Sequence, residues 1–132
     1  MIRRYIDKMI SFACDLQKVP HVEVVYDKPE GANEKIVKYI PGKKGTLNID
    51  TDNFKKQGKK ALFALFTELR RYYQDYTNME YDLDLEYAID ANAFAVLIMK
   101  VYFGINAPIS NDLPMTRVMM ATNQLSQTLG VR

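Results

Sequence analysis

A single cysteine leaves no partner for an intrachain disulfide and excludes a metal site built on thiolates. Cys14 therefore fits a reducing compartment, and a small core-side position on a helix suits it better than a nucleophile's role. Histidine is equally scarce: His21 stands alone and cannot by itself make a three-ligand metal site. Charge of one sign is not in excess either, since 18 basic residues face 16 acidic ones, and a net charge of +2 demands no nucleic-acid partner. Long hydrophobic runs are missing. The strongest, Ala91 to Gly104, is interrupted by Asn92 and Lys100 and falls short of the roughly 20 residues needed to cross a bilayer. The opening Met1-Ile2-Arg3-Arg4-Tyr5-Ile6-Asp7-Lys8 lacks the apolar core of a secretory signal. A cytoplasmic location away from membranes is the expectation.

No Gly/Pro/Ser-rich linker, internal repeat or low-complexity tract divides the chain, and 48% hydrophobic residues suffice for one compact core, so residues 1–132 read as one domain. Ile2, Ile6, Met9, Ile10, Ala13 and Leu16 recur at helical spacing and predict a first helix ending before Val19-Pro20. Val22, Val24 and Val25 mark a strand over 21–26, and Lys28 to Asn33 is rich in turn formers. A return strand over 35–40, a turn at Pro41-Gly42-Lys43-Lys44-Gly45 and a strand over 46–49 complete an expected antiparallel meander. Leu62, Phe63, Phe66, Leu69 and Tyr73 form the stripe of a second helix, entered through the polar Lys55-Lys56-Gln57-Gly58-Lys59-Lys60. A third helix is predicted from about Leu83 to Tyr102, with Gly104 as its stop. A last one follows Pro114, over 115–129, and ends before Gly130. Its expected stripe is Met115, Val118, Met119, Thr122, Leu125 and Leu129, which leaves Met120 as the exposed methionine. The fold class is thus α+β, a small three-stranded antiparallel sheet packed with about four helices.

Phe66-Thr67-Glu68-Leu69-Arg70-Arg71-Tyr72-Tyr73-Gln74 has the form of an H-E-x-x-H helix stripped of both histidines. In the intact motif two histidines four apart share a helix face and hold zinc, while the glutamate polarises a bound water. Further on, Asp90-Ala91-Asn92-Ala93-Phe94-Ala95 presents an acidic residue followed by small and aromatic positions. Together, and in this order of elements, the two stretches resemble the ImmA/IrrE-like zinc metallopeptidases of bacteria and mobile elements, phages included. The likeness covers the chain up to about Gly104. It implies a zincin-like domain in which Thr67 and Arg71 occupy the ligand-histidine positions, Glu68 the general-base position and Asp90 the third-ligand position.

Threonine is a poor zinc ligand, and the permanent charge of Arg71 repels a divalent cation. The resemblance therefore implies a pseudoenzyme without a metal or other cofactor, in which Thr67, Glu68, Arg71 and Asp90 are vestigial. Burying Glu68 and Asp90 without a cation is costly. Arg71 is expected to replace the metal by pairing with Asp90, with Glu68 or Glu86 as further partners. An enzyme alternative rebuilds an atypical metal site from Glu68, Asp90, Glu86 and His21.

Charges separate by segment around the motif. Lys55, Lys56, Lys59, Lys60, Arg70 and Arg71 come first, then Asp75, Glu80, Asp82, Asp84, Glu86 and Asp90 without an intervening cation. Tyrosines interleave the acidic part, and tyrosine with carboxylates suits an interface with a basic partner. Tyr76, Glu80, Tyr81, Asp82, Asp84, Glu86 and Tyr87 are the expected partner-binding residues. The lysines could contact phosphates directly, though no nucleic-acid-binding motif accompanies them. The functional expectation is macromolecular binding. Its sharpest form is a phage-encoded inhibitor of a host defence nuclease, of the anti-CRISPR kind; the alternative is a regulatory module that binds a repressor without cleaving it.

Overall fold

The computed structural model describes residues 2–27 and 35–131. Every residue from Ile89 to Met99 is buried, which makes their helix, α4 (Asp84–Phe103), the axis of the molecule. A helix apolar on all sides must be covered on all sides. Helix α3 (Lys59–Tyr76) packs along one flank of it and α5 (Met115–Leu129) along another. Helix α1 (Ile2–Gln17) and a small sheet then cover α3, and one hydrophobic cluster draws on all these elements.

The sheet consists of β1 (Glu23–Val25), β2 (Val37–Ile40) and β3 (Thr46–Ile49) in the order β1-β3-β2. It is mixed rather than the antiparallel meander expected: β2 pairs antiparallel with β3, but β1 runs parallel to β3. The loop from Pro41 to Gly45 closes a local hairpin, whereas the connection over 26–36 is too long for a tight turn and lets β3 take the central place. The turn expected at Lys28–Asn33 lies outside the described residues.

Among the described residues five helices stand where about four were expected, because the polar entrance to α3 contains a helix of its own, α2 (Thr51–Gln57), capped by the Asp50 side chain on the Asn53 N–H. Gly58 separates it from α3 with φ 55° and ψ −118°, a backbone state closed to residues with a Cβ. Helix α1 ends in a left-handed Lys18, with Val19 N–H bonding Cys14 O and Lys18 N–H bonding Asp15 O. Helix α3 closes in the same way at Asn78, and Gly104 and Gly130 end α4 and α5. Met115 and Met119, expected on the buried stripe of α5, are exposed together with Met120. As an outer helix α5 buries only the narrow sector of Val118, Thr122 and Leu125. No helix among the described residues is long and apolar enough to cross a membrane.

Candidate functional site

Asp90 projects from the first half of α4 toward α3, and both of its oxygens are occupied. Arg70 Nε donates to Oδ2 at 2.8 Å and Nη2 to Oδ1 at 3.2 Å, while Gln74 Nε2 donates to Oδ2 at 2.9 Å. From α1, Gln17 Oε1 accepts a bond from Arg70 Nη1 at 3.0 Å. The guanidinium lies 4.1 Å from the centre of the Tyr73 ring and 5.6 Å from that of Phe94. Arg70, Gln74, Gln17 and Asp90 are all buried, and every buried side-chain nitrogen and oxygen among the described residues has a partner. A fork of two parallel bonds to a carboxylate is the geometry in which a buried guanidinium is best satisfied.

This arrangement corrects the expectation for Arg71. The arginine on Asp90 is Arg70; Arg71 pairs with Glu68, its Nε 3.3 Å from Oε2, and stays partly exposed. Neighbouring residues on a helix point about 100° apart, and α4 approaches α3 on the side of Arg70, Tyr73 and Gln74.

Glu68 faces the sheet instead. Just beyond the β2–β3 ladder Asp50 N–H donates to Ile36 O at 2.9 Å, and by the alternation of an antiparallel pair Val37 and Tyr39 turn their backbone groups away from β3. Glu68 Oε1 accepts the outward Tyr39 N–H at 2.9 Å. The carboxylate expected at a general-base position thus closes part of an open sheet edge. Thr67, expected at the first ligand position, bonds back to Phe63 O at 2.8 Å within its own helix. It borders a cleft of about 680 Å³ that also holds Glu68, Phe63, Lys35 and Lys60.

The four positions expected to be vestigial do not converge: Glu68 and Arg71 form one pair, and Asp90 belongs to another network. Both Asp90 oxygens accept N–H donors, while Glu68 accepts one through Oε1 and faces the Arg71 guanidinium through Oε2, so cations and N–H groups surround both carboxylates where a zinc site needs further ligands. His21 does not join Glu68, Glu86 and Asp90; its Nδ1 lies 2.8 Å from Val22 O in a groove shared with Glu23 and Tyr26. No group of three or more metal-ligating side chains occurs among the described residues.

The acidic segment divides into a frame and a surface. Tyr87 is half-buried; its hydroxyl donates to Met79 O at 3.0 Å and accepts the Tyr81 N–H at 2.9 Å, while the two rings meet edge to face at 5.0 Å. Burial, with Asp90 as a further cause, raises the Tyr81 phenol above its ordinary value. Glu86 is half-buried beside a cavity of about 430 Å³ that Arg70, Asp90 and Arg117 also line. Tyr76, Glu80, Asp82 and Asp84 are exposed, as are Asp75, Leu83 and Leu85. Tyr81 and Tyr87 also brace the loop over 77–83, which carries Glu80 and Asp82, whereas Tyr76 ends α3 and Asp84 and Glu86 open α4.

Sequence reasoning missed the roles of Arg70, Gln74 and Gln17. A signal existed for Gln17, which follows Ala13 by four residues on the apolar face of α1. A polar side chain at a core position calls for a polar partner. Comparison with family profiles, with characterised proteins and with solved structures finds no match for this chain.

Proposed function

We propose that this chain is a catalytically inactive, zincin-like relative of the ImmA/IrrE-type metallopeptidases that acts in the cytoplasm by binding another macromolecule. The observation that carries the reading is the commitment of both carboxylates. Asp90 is neutralised by Arg70, and Glu68 accepts the Tyr39 N–H through one oxygen and pairs with Arg71 through the other, so each carboxylate already has its counter-charge without a metal. A buried arginine has taken over the charge balance that a metal provides in an active enzyme.

Function then belongs to the surface. The exposed carboxylates of Asp75, Glu80, Asp82 and Asp84, with Tyr76, Leu83 and Leu85 among them, suit a basic groove that ordinarily holds nucleic acid. An inhibitor of a phage-restricting nuclease, acting as a partial nucleic-acid decoy, is the form of activity this surface serves best. Two measurements test the proposal. Protein purified without chelator should contain no stoichiometric zinc by mass spectrometry, and bound zinc would overturn the inactive-scaffold reading. DNA cleavage by an RNA-guided nuclease should fall when the protein is added, and the Asp82→Lys/Asp84→Lys/Glu86→Lys variant should lose that effect. Undiminished inhibition by the variant removes the decoy mechanism.

A further inference from the structure

Solvent-facing charge is sorted along α3. At its N-terminal end Lys55, Lys56, Lys59 and Lys60 are all exposed, and none lies within ion-pairing distance of a carboxylate among the described residues. The helix is 18 residues long, so its far end lies about 27 Å away. There Asp75, Glu80, Asp82 and Asp84 are exposed, and no lysine or arginine occurs in the chain between Arg71 and Lys100. The exceptions are few. Asp52 stands in the first turn of α2, Arg117 shares a cavity with Glu86, and Arg71 is committed to Glu68.

The two ends also differ in shape. At the acidic end Leu83, 59% exposed, projects between Asp82 and Asp84 as an apolar knob flanked by carboxylates. Beside the lysines opens the cleft of about 680 Å³, with Ile36, Phe63 and Ala64 as apolar lining and Lys35 and Lys60 as its cations. Its one carboxylate among the described residues, Glu68, is already bonded to Tyr39 N–H and Arg71.

We infer that a second copy of this chain occupies that cleft, with the Asp82-Leu83-Asp84 knob of one copy seated between Lys35 and Lys60 of the next. Knob and cleft are different surfaces, so the contact is head-to-tail. Each copy keeps one unused end, and the assembly grows until it closes into a ring or continues as a chain. Exposed charges dominate the contact, so salt weakens it steeply. The association also places the acidic surface out of reach of a foreign partner.

Sedimentation velocity across protein concentration and salt provides the test, with two charge-reversed variants. Wild-type protein should associate at low ionic strength and become monomeric near about 1 M salt, where the screening length falls to roughly 3 Å. Lys35→Glu/Lys60→Glu and Asp82→Lys/Asp84→Lys should each be folded by circular dichroism and monomeric alone. An equimolar mixture of the two should form a complex, because each supplies the end the other lacks. A monomeric wild type at low salt, a variant that still associates alone, or a mixture that stays monomeric overturns the inference. The lysine variant leaves the acidic surface intact, so loss of self-association and loss of nuclease inhibition are separable results.

Discussion

Arg70 holds Asp90 in a buried two-bond fork, with Nε 2.8 Å from Oδ2 and Nη2 3.2 Å from Oδ1, and this pair ties α3 to the first half of α4. Breaking one side leaves a charge without a partner in a desolvated place. Asp90→Ala or Arg70→Ala should each cost about 3–5 kcal/mol in urea unfolding. The double substitution should cost less than the sum, because it removes both charges together. Additive losses would mean that the two side chains do not depend on one another.

How far this was legible in sequence follows from the range of each interaction. Helix α5 begins after Pro114 and ends at Gly130 as read, and Gly104 stops α4, because such signals are local. Asp90 as a buried acid in need of a cation was expected only through the resemblance, which sets it at a third-ligand position. Arg70 was not distinguished from Arg71, because the resemblance says which residue aligns with a family position and not which side of α3 meets α4. Strand order was hidden for a similar reason: nothing within β1 distinguishes β3 from β2 as its neighbour. At Gly58 the glycine was visible, but the surrounding lysines erased the apolar period that would have marked α2.

Gly45 lies under the Tyr39 ring, and a Cβ there would overlap the hydroxyl and two ring carbons. That ring is not free to move, because its hydroxyl donates to Asp75 Oδ2 at 2.5 Å. Gly45→Ala should therefore destabilise the fold by about 1–3 kcal/mol. The same substitution made in a Tyr39→Ser background should cost much less. Equal costs in the two backgrounds, measured by chemical unfolding, would disprove the coupling.

Burial first, and then the bond to Asp75, pushes the Tyr39 phenol far above its ordinary value of 10.0; burial and Asp7 do the same for Tyr26. A raised acid favours the protonated folded state. Its contribution is complete below the unfolded value and is lost as pH climbs from there toward the folded one. Stability should consequently be insensitive to these groups up to about pH 10 and fall above it. Tyr39→Phe should make that decline shallower. Phenolate absorbance followed alongside far-ultraviolet circular dichroism checks whether ionisation and unfolding occur together.

Burial also raises the Cys14 thiol, which is 1% exposed in the core-facing side of α1. A thiol kept protonated and covered is a poor nucleophile. Alkylation near neutral pH should be slow in the folded protein and fast in urea, with the rate following the unfolded fraction. Rapid modification of native protein would show that α1 opens locally.

Glu68 separates a structural role from a catalytic one. Its Oε1 receives the Tyr39 N–H at the edge of β2, and its Oε2 faces a partly exposed Arg71. Glu68→Gln keeps an oxygen for the backbone donor and loses only the exposed half of the pairing, so it should change stability by less than about 1 kcal/mol. Glu68→Ala leaves the Tyr39 N–H unmet beside the α3–β2 packing and should cost about 1–3 kcal/mol. A general base would respond otherwise, since amide and methyl are equally unable to accept a proton, and any hydrolytic activity would vanish in both variants alike. Binding that survives Glu68→Gln but weakens with Glu68→Ala, in proportion to the unfolded fraction, would place this glutamate in the sheet edge rather than in a reaction.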